Sequence, residues 1–421
     1  MTPSPVHRLV VIGQGYVGLP LAMRAVERGF NVVGFDLDES RVKMLGAGHS
    51  FVGDVSDEQL GAAMETGRYT PTNDPSLLAG FDVAVIDVPT PLTDGVPNLG
   101  HVQQAAAMLA EVLRVGATVV LESTTYPGTT EDIVARILEE GSGLVAGADF
   151  YLGYSPERID PGNPTWTFVN TPKVVSGINA ASLRAVQSFF DRLVDQTVPV
   201  SGTKEAELTK LLENTFRHVN IALVNELAMF ADALEIDVWE AIDAASTKPF
   251  GYLRFTPGPG VGGHCLPIDP SYLSWKVRRS LGQPFRFVEL ANDVNEHMPD
   301  YVVRRLILAL NQQKRSVNGS RILLLGLAYK RNTGDAREAP GEVIARNLLA
   351  LGAEVHVADP HLPVGSVDLP LVELTQAEVK AADAVIIVTD HDDFDYELVR
   401  RHARYVFDTR NRIQGPTVES L

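Results

Sequence analysis

Short runs of aliphatic and β-branched residues alternate, in the N-terminal part of the chain, with longer stretches whose apolar residues recur at helical spacing. Leu9-Val10-Val11-Ile12 is the first run; it ends at Gly13 and reads as a buried strand. Val17 to Arg28 has helical spacing and stops at Gly29. Asn31 to Phe35 is the second run and ends at Asp36. Asp82 to Val88, Ala117 to Leu121 and Phe150 to Leu152 read as further strands, with helical patterns at His101 to Leu113 and Thr130 to Glu139 between them. Strands that alternate with helices predict parallel βαβ units.

The pattern changes near residue 200. Thr203 to Leu234 reads as one helix, with Leu208, Leu211, Leu212, Val219, Leu223, Leu227 and Phe230 on or near one face and no Pro or Gly to interrupt it. Its length would be about 48 Å at 1.5 Å per residue. That is too long for one small domain and suits a linking element or a subunit interface. Residues 246 to 270 form a Gly- and Pro-rich loop, helix resumes through about Leu310, and the polar stretch Asn311 to Ser320 is the linker candidate. The alternation then restarts with strands at Arg321 to Leu325, Val355 to Ala358, Ala384 to Val388 and Tyr405 to Phe407, and a helix at Gly341 to Leu351. The expected fold class is α/β: two Rossmann-like βα domains with parallel sheets, joined by a long central helix and a helical middle region. The expected boundaries are 1–200, 201–310 and 311–421.

Composition narrows the functional classes. The 421 residues are 45% hydrophobic, enough for a substantial core, and carry a net charge of −17. An acidic chain without a basic stripe is a poor nucleic-acid binder. No apolar stretch approaches the ~20 residues of a membrane-spanning helix. Met1 to Leu9 lacks the basic region and apolar core of a signal peptide, so the expected compartment is the cytoplasm. Cys265 is the single cysteine, which excludes an intramolecular disulfide and a multi-cysteine zinc site; no metal is expected.

Four constellations carry chemistry. Gly13-Gln14-Gly15-Tyr16-Val17-Gly18 follows a strand and opens a helix, and Asp36 ends the second strand 23 residues after Gly13. In that context Gly13 permits a tight turn, Gly15 lets a pyrophosphate approach backbone N–H groups, and Gly18 lets the helix pack close to the strand. The carboxylate of Asp36 suits a ribose 2′-hydroxyl and repels a 2′-phosphate. The second constellation is Gly260-Val261-Gly262-Gly263-His264-Cys265-Leu266-Pro267-Ile268-Asp269-Pro270, where three glycines are expected to leave the cysteine open to a ligand. Asp269 follows Cys265 at i,i+4 spacing if a helix begins there, and His264 reads as a loop histidine satisfied by backbone. Third, Lys210 and Asn214 are four apart on the long helix, where the spacing alone makes Lys210 a solvated surface charge. Fourth, the strand ending at Leu325 is followed by Lys330, Arg331 and Arg337, an anion site, with Asp335 and Glu338 as a helix cap and its reciprocal acid.

The ordered motifs resemble the nucleotide-sugar 6-dehydrogenases of the UDP-glucose/GDP-mannose dehydrogenase family, and among them the UDP-N-acetylglucosamine enzymes. The resemblance rests on Gly13 to Pro20, Val88 to Pro91, Ser123 to Thr130, Ser155 to Gly162, Lys210 to Asn214, Gly258 to Pro270, Gly326 to Pro340 and Asp408 to Asn411. It implies an NAD-dependent, four-electron oxidation of the C6 alcohol of a UDP-sugar, in polysaccharide biosynthesis. It implies Cys265 as the nucleophile that captures the aldehyde, Lys210 and Asn214 as donors to the developing oxyanion, Asp269 and Thr124 as the pair that positions water, and Glu157 as the acid–base group for thioester hydrolysis. Cofactor contacts are implied for Gly13, Gly15, Tyr16, Val17, Gly18, Asp36, Arg41, Thr90, Thr124 and Arg337. Substrate contacts are implied for Glu157, Arg158, Lys210, Asn214, Tyr252, Gly260, Gly263, Lys330 and Arg410. A homodimer or higher homo-oligomer through the central helix is implied as well.

Within the resemblance, Pro156-Glu157-Arg158 resembles the N-acetylhexosamine branch rather than the UDP-glucose or GDP-mannose branches. Asp160-Pro161-Gly162 is similar to UDP-N-acetylglucosamine enzymes, whereas Leu-Pro-Gly there marks UDP-N-acetylmannosamine enzymes. Ser176 departs from the pattern, where a glycine is commoner. The competing classes are a one-step 2-hydroxyacid or acyl-CoA dehydrogenase, which has no use for Cys265, and a non-enzymatic NAD-sensing protein, which has no use for the cysteine loop.

Overall fold

The structure is a computed structural model that describes residues 8–93, 95–160, 163, 165–263, 265–363 and 365–421, with Cys265 described by its backbone alone. The chain divides into two compact units, Met1–Glu213 with Trp275–Leu281, and Asn214–Ser274 with Gly282–Leu421.

The first unit is built on a six-stranded, all-parallel sheet. Its spatial order is Tyr69–Thr72, Asn31–Phe35, Arg8–Ile12, Val83–Ile86, Thr118–Leu121 and Tyr151–Tyr154. Side chains of a strand point alternately to the two faces, and here both faces are covered. Leu9 and Val11 join a core with Leu19, Ala22 and Phe189, whereas Val10 and Ile12 join another with Val102, Leu109 and Leu138. Burial on both sides is why the strands read as continuous apolar runs. Tyr69–Thr72 escaped that reading because it is a polar edge strand, the one kind of place where Pro71 is tolerated in a sheet. The parallel pair Lys173–Val175 and Thr197–Pro199 lacked a pattern for a different reason, since each strand is only three residues long. Ser176 is buried and its hydroxyl donates to the Tyr154 carbonyl at 2.7 Å.

The long helix runs over Thr203–Ala233, 31 residues without a break. Its apolar residues do not share one environment. Ala206 and Leu211 are buried, Ala228 packs with Trp239 and Ile242 in the second unit, and Leu208, Leu212, Phe216, Leu223, Leu227 and Phe230 form an exposed stripe.

The second unit holds a five-stranded parallel sheet in the order Glu354–Ala358, Arg321–Leu325, Ala384–Ile387, Val406–Asp408 and Val418–Ser420. Ile322 and Leu324 face one core, Leu323 and Leu325 the other. The polar stretch expected as a linker is a packed connection: the helix Arg286–Gln312 runs into it, and Val317 is buried in the core beside Leu310. The Gly-rich loop is shorter than expected, since the helix Cys265–Leu281 begins at the cysteine itself. The expected cap at Asp335 and Glu338 is also corrected. The helix there is Pro340–Ala350, its cap residue Ala339 makes no side-chain cap, and a proline in the first turn needs no donor. No helix among the described residues is long and apolar enough to cross a membrane.

Gly326 and Gly365 both have left-handed backbone, at φ 79° and 84°, but a Cβ on Gly326 would meet the Thr389 carbonyl oxygen at 2.2 Å whereas Gly365 faces open space. A left-handed alanine costs about 1–2 kcal/mol. Gly365→Ala is therefore expected to lose about 1 kcal/mol in urea denaturation, and Gly326→Ala about 3 kcal/mol or more, since a backbone carbonyl must shift as well.

Candidate active site

The carboxyl edge of the first sheet is where the glycine turn lies. Gly13 has φ 98°, and a Cβ there would stand 1.8 Å from the Asp87 carbonyl oxygen; one on Gly18 would stand 2.0 Å from the Gly13 carbonyl oxygen. Both positions are glycine because backbone fills the space. Gly15 differs, with no atom within 4 Å of a built Cβ. In the helix Gly18–Glu27 the Gly18 N–H donates to the Asp87 carboxylate, the Leu19 N–H donates to the Gly15 carbonyl at 3.2 Å, and Pro20 has no N–H. Asp36 lies at the end of the adjacent strand, its Oδ2 accepting the Gln14 N–H at 2.9 Å and its Oδ1 the Asp38 N–H at 2.9 Å. Arg41 reaches Asp36 at 3.8 Å and lies over the Phe51 ring, while Tyr16 is half exposed. An open middle glycine and an oriented acid at the end of the adjacent strand fit a dinucleotide with a free ribose 2′-hydroxyl.

Gln14 was not singled out in the sequence, yet it holds this turn together. It is fully buried, donates to the Val11 and Gly13 carbonyls, and accepts the Tyr69 hydroxyl at 2.7 Å. Gly34 leaves room for it: a Cβ there would stand 2.4 Å from Gln14 Oε1.

Further along the same edge the strand ends deliver Asp87, Glu122 and Glu157. Lys173 joins them from the short strand pair. Its Nζ donates to Glu157 Oε2 at 2.7 Å and to Glu122 Oε1, and the rings of Phe168 and Phe190 flank it. Glu157 Oε1 accepts the N–H groups of Arg158 and Ile159, both at 2.6 Å. Glu122 Oε2 is buried with no hydrogen-bond partner among the described residues. The two glutamates are pushed apart accordingly. Burial raises Glu122 to about 8, opposed by Lys173 and reinforced by Glu157 and Asp87. Burial pushes on Glu157 too, but the Lys173 charge and hydrogen bond, the Ile159 N–H and the Lys210 charge outweigh it and hold that carboxyl below its ordinary value. Neither Lys173 nor Glu122 had a sequence signal, because only the fold juxtaposes them.

Several expected site residues come together in this unit. Thr90 donates to the Thr124 carbonyl at 2.9 Å, and Ser123 accepts the Val88 N–H at 2.9 Å, tying the two loops. Lys210 is buried, not a solvated surface charge as its spacing suggested. One turn earlier, Glu207 accepts the Gly128 N–H at 2.6 Å, the Thr130 N–H at 2.9 Å and the Thr130 hydroxyl at 2.8 Å, which pins the Thr124 loop to the long helix. Arg158 is engaged elsewhere, with Glu213 at 2.6 Å and the Pro172 carbonyl at 2.6 Å.

In the second unit Asn214 donates to Asp269 Oδ2 at 2.6 Å, and both are buried. Asp269 sits one turn into the helix that Cys265 opens. The side chain of Cys265 lies outside the described residues, as do His264, Pro161 and Gly162. The glycines before the cysteine are not open to a ligand in the way expected. A Cβ on Gly262 would stand 2.6 Å from the Glu338 carbonyl oxygen, and one on Gly263 would stand 2.7 Å from the Tyr329 ring. Gly260 faces Pro340 at 3.3 Å. They are small because the 329–340 segment packs on them. Gly263 N–H also donates to the Arg337 carbonyl at 3.0 Å. Arg410 lies against Gly258, whose Cβ would stand 2.6 Å from its Nη1, and donates through Nε to the Val388 carbonyl at 2.8 Å. Tyr252 and Lys330 are half-buried in this unit. Of the expected anion-site cations, Arg331 is paired with Asp392 and Arg337 with Asp335 at 2.6 Å.

The glycine turn separates two effects. Gly13→Ala is expected to destabilise the first unit by several kcal/mol, because its Cβ would overlap backbone. Gly15→Ala should keep the melting temperature within about 2 °C while weakening NADH binding, read by fluorescence titration, about tenfold or more, because only the bound pyrophosphate needs that space.

Comparison with known proteins agrees with this geometry. Residues 7–194 match the NAD binding domain of the UDP-glucose/GDP-mannose dehydrogenase family, residues 204–297 its central domain and residues 323–415 its UDP binding domain. The chain is 35% identical over 417 residues to the UDP-N-acetyl-D-mannosamine dehydrogenase of Pyrococcus horikoshii, covering 98% of this chain and 97% of that one. It is 34% identical over 391 residues to the UDP-N-acetyl-D-glucosamine 6-dehydrogenase of Pseudomonas aeruginosa, covering 92% and 91%. A solved structure of the Pyrococcus horikoshii UDP-D-ManNAc dehydrogenase superposes with a TM-score of 0.90 at 34% identity, over 98% of both chains. An NAD-shaped turn on one parallel sheet, a second parallel sheet and three matching domains in order make this chain a member of the UDP-glucose/GDP-mannose dehydrogenase family, an NAD-dependent nucleotide-sugar 6-dehydrogenase.

Proposed function

We propose that this enzyme oxidises the C6 alcohol of a UDP-N-acetylhexosamine to the carboxylate, with two NAD per sugar, through a thioester on Cys265. The observation that carries the reading is the buried Asn214–Asp269 hydrogen bond, which ties the helix bearing Lys210 to the helix that begins at Cys265. NAD, when bound, is the acceptor of the hydride in both oxidations. Gly13, Gly15 and Gly18 with the backbone of Tyr16 and Val17 would hold its pyrophosphate, and Asp36 its adenosine ribose.

The roles of the side chains follow from their chemistry. An aldehyde carbon has no alcohol to oxidise until a nucleophile adds, so the Cys265 thiolate supplies the sulfur that makes the second oxidation possible. Lys210 and Asn214 are the donors to the oxyanion that this addition creates. After the second oxidation, Glu157 takes a proton from water, the water oxygen bonds to the acyl carbon, and the carbon–sulfur bond breaks to release the acid and the thiolate. Asp269 and Thr124 serve to position that water. Lys330 and Arg410 bind the nucleotide part of the substrate.

For the sugar, Asp160-Pro161-Gly162 supports UDP-N-acetylglucosamine. The 35% identity to a UDP-N-acetyl-D-mannosamine dehydrogenase over 98% of the chain supports UDP-N-acetylmannosamine as the second reading. For the assembly, the exposed stripe Leu208, Leu212, Phe216, Leu223, Leu227 and Phe230 supports a second copy packed along the long helix.

Counting NADH and uronic acid per sugar across UDP-N-acetylglucosamine, UDP-N-acetylmannosamine and UDP-glucose tests the chemistry. Two NADH per acid are expected, with UDP-N-acetylglucosamine fastest; a profile led by UDP-glucose would remove the branch assignment. Cys265→Ala is expected to fold and bind NADH yet form essentially no acid. Near wild-type turnover in that variant would make Cys265 a structural residue. For the assembly, light scattering should find a dimer or larger in the parent and a monomer in Leu223→Glu/Leu227→Glu.

A further inference from the structure

Lys173 is the shared partner of two buried glutamates, and the two are unequally served. Glu157 receives three donors, from the N–H groups of Arg158 and Ile159 on Oε1 and from Lys173 on Oε2. Glu122 receives Lys173 on Oε1, and its Oε2 has no partner among the described residues. Lys173, Glu122 and Glu157 are all nine-tenths or more buried. Facing Glu157 are Lys173, Lys210, Glu122 and Asp87; the nearby Arg158 guanidinium is taken by Glu213. Phe168 and Phe190 flank the ammonium, so little else screens the charges.

Three carboxyl groups around Lys173 cannot all ionise cheaply in such surroundings. An ionised Glu122 would leave a charged oxygen buried without a donor, which costs more than leaving a neutral one so. An ionised Glu157 meets no such cost. We propose that Lys173 is a positioning residue that commits its charge to keeping Glu157 an oriented anion, while Glu122, its other partner, carries a proton. This deepens the reading of Glu157 as the group that takes a proton from water, and rests on it for its catalytic meaning. A glutamate held as the anion is ready to act as a base from the start of hydrolysis, and the proton on Glu122 keeps Lys173 from being divided between two negative charges.

Two measurements test this. Infrared difference spectroscopy of the full-length protein at pH 7, wild type against Glu122→Gln, is expected to show the loss of one protonated-carboxyl stretch. Loss of an ionised-carboxylate stretch alone would overturn the proposal, whatever Glu157 does in the reaction. The second is the pH profile of kcat for acid formation. Lys173→Met should move the acidic limb upward by about one to three units, because Glu157 loses its close cation and protonates at higher pH; Lys173→Arg should restore it. A Lys173→Met protein that melts and binds NADH normally with an unmoved limb would also overturn the proposal. Should Lys173→Met fail to fold, the isosteric Glu122→Gln still decides. Glu157→Gln separates the two readings: wild-type hydrolysis in it would remove Glu157 as the base without touching where the infrared experiment places the proton.

Discussion

A parallel sheet turns the loop after every strand toward the same edge. In the first unit that constraint gathers Gly13, Asp36, Asp87, Glu122 and Glu157 from five successive strand ends that are up to 144 positions apart in sequence. The edge consequently concentrates negative charge in a partly dehydrated place. Lys173 answers it from a strand outside the main sheet, and the backbone N–H groups received by Glu157 and not by Glu122 set which of its two partners is the anion. The dinucleotide turn and the carboxylate cluster are adjoining parts of one arrangement, linked through Asp87, whose carbonyl oxygen packs on Gly13.

The second unit repeats the topology but spends its acid differently. Asp359 ends the Glu354–Ala358 strand as Asp36 ends Asn31–Phe35. Its Oδ2, however, accepts the N–H groups of Leu327 at 2.8 Å and Ala328 at 3.0 Å, and His391 lies 3.1 Å away on the same oxygen. Burial would raise that carboxyl, but His391 and the two backbone donors outweigh it and hold it at about 2. The Asp359 and His391 side chains are wholly buried, so this acid braces the turn and is not offered to a ribose. Two sheets of the same type are thereby two different sites.

Glycine was the residue type whose meaning changed most between pattern and structure. Gly13 and Gly18 are required by backbone approach, as their place in the turn predicted, and Gly15 faces open space. Gly260, Gly262 and Gly263 looked similar in the sequence, yet protein atoms of the 329–340 segment and Asn295 occupy the space their side chains would need. A missing side chain leaves the same signal whether a ligand or another part of the chain comes close.

The chain by itself determined the central strands of both parallel sheets and the long helix, the NAD turn with its acid, and the family, because each rests on local periodicity or on residues close together in sequence; the polar edge strand Tyr69–Thr72 and the three-residue strands Lys173–Val175, Thr197–Pro199 and Val418–Ser420 left no such pattern. It also placed Lys210 and Asn214 on one helix face, since i,i+4 spacing is a local property. Tertiary structure alone decided that Lys210 is buried, that Asn214 reaches Asp269, that Gln14 and Tyr69 brace the glycine turn, and that Lys173 stands between Glu122 and Glu157. Burial and partnership between residues tens of positions apart depend on how strands are ordered in the sheet and which loops then meet at its edge, and no local pattern encodes that.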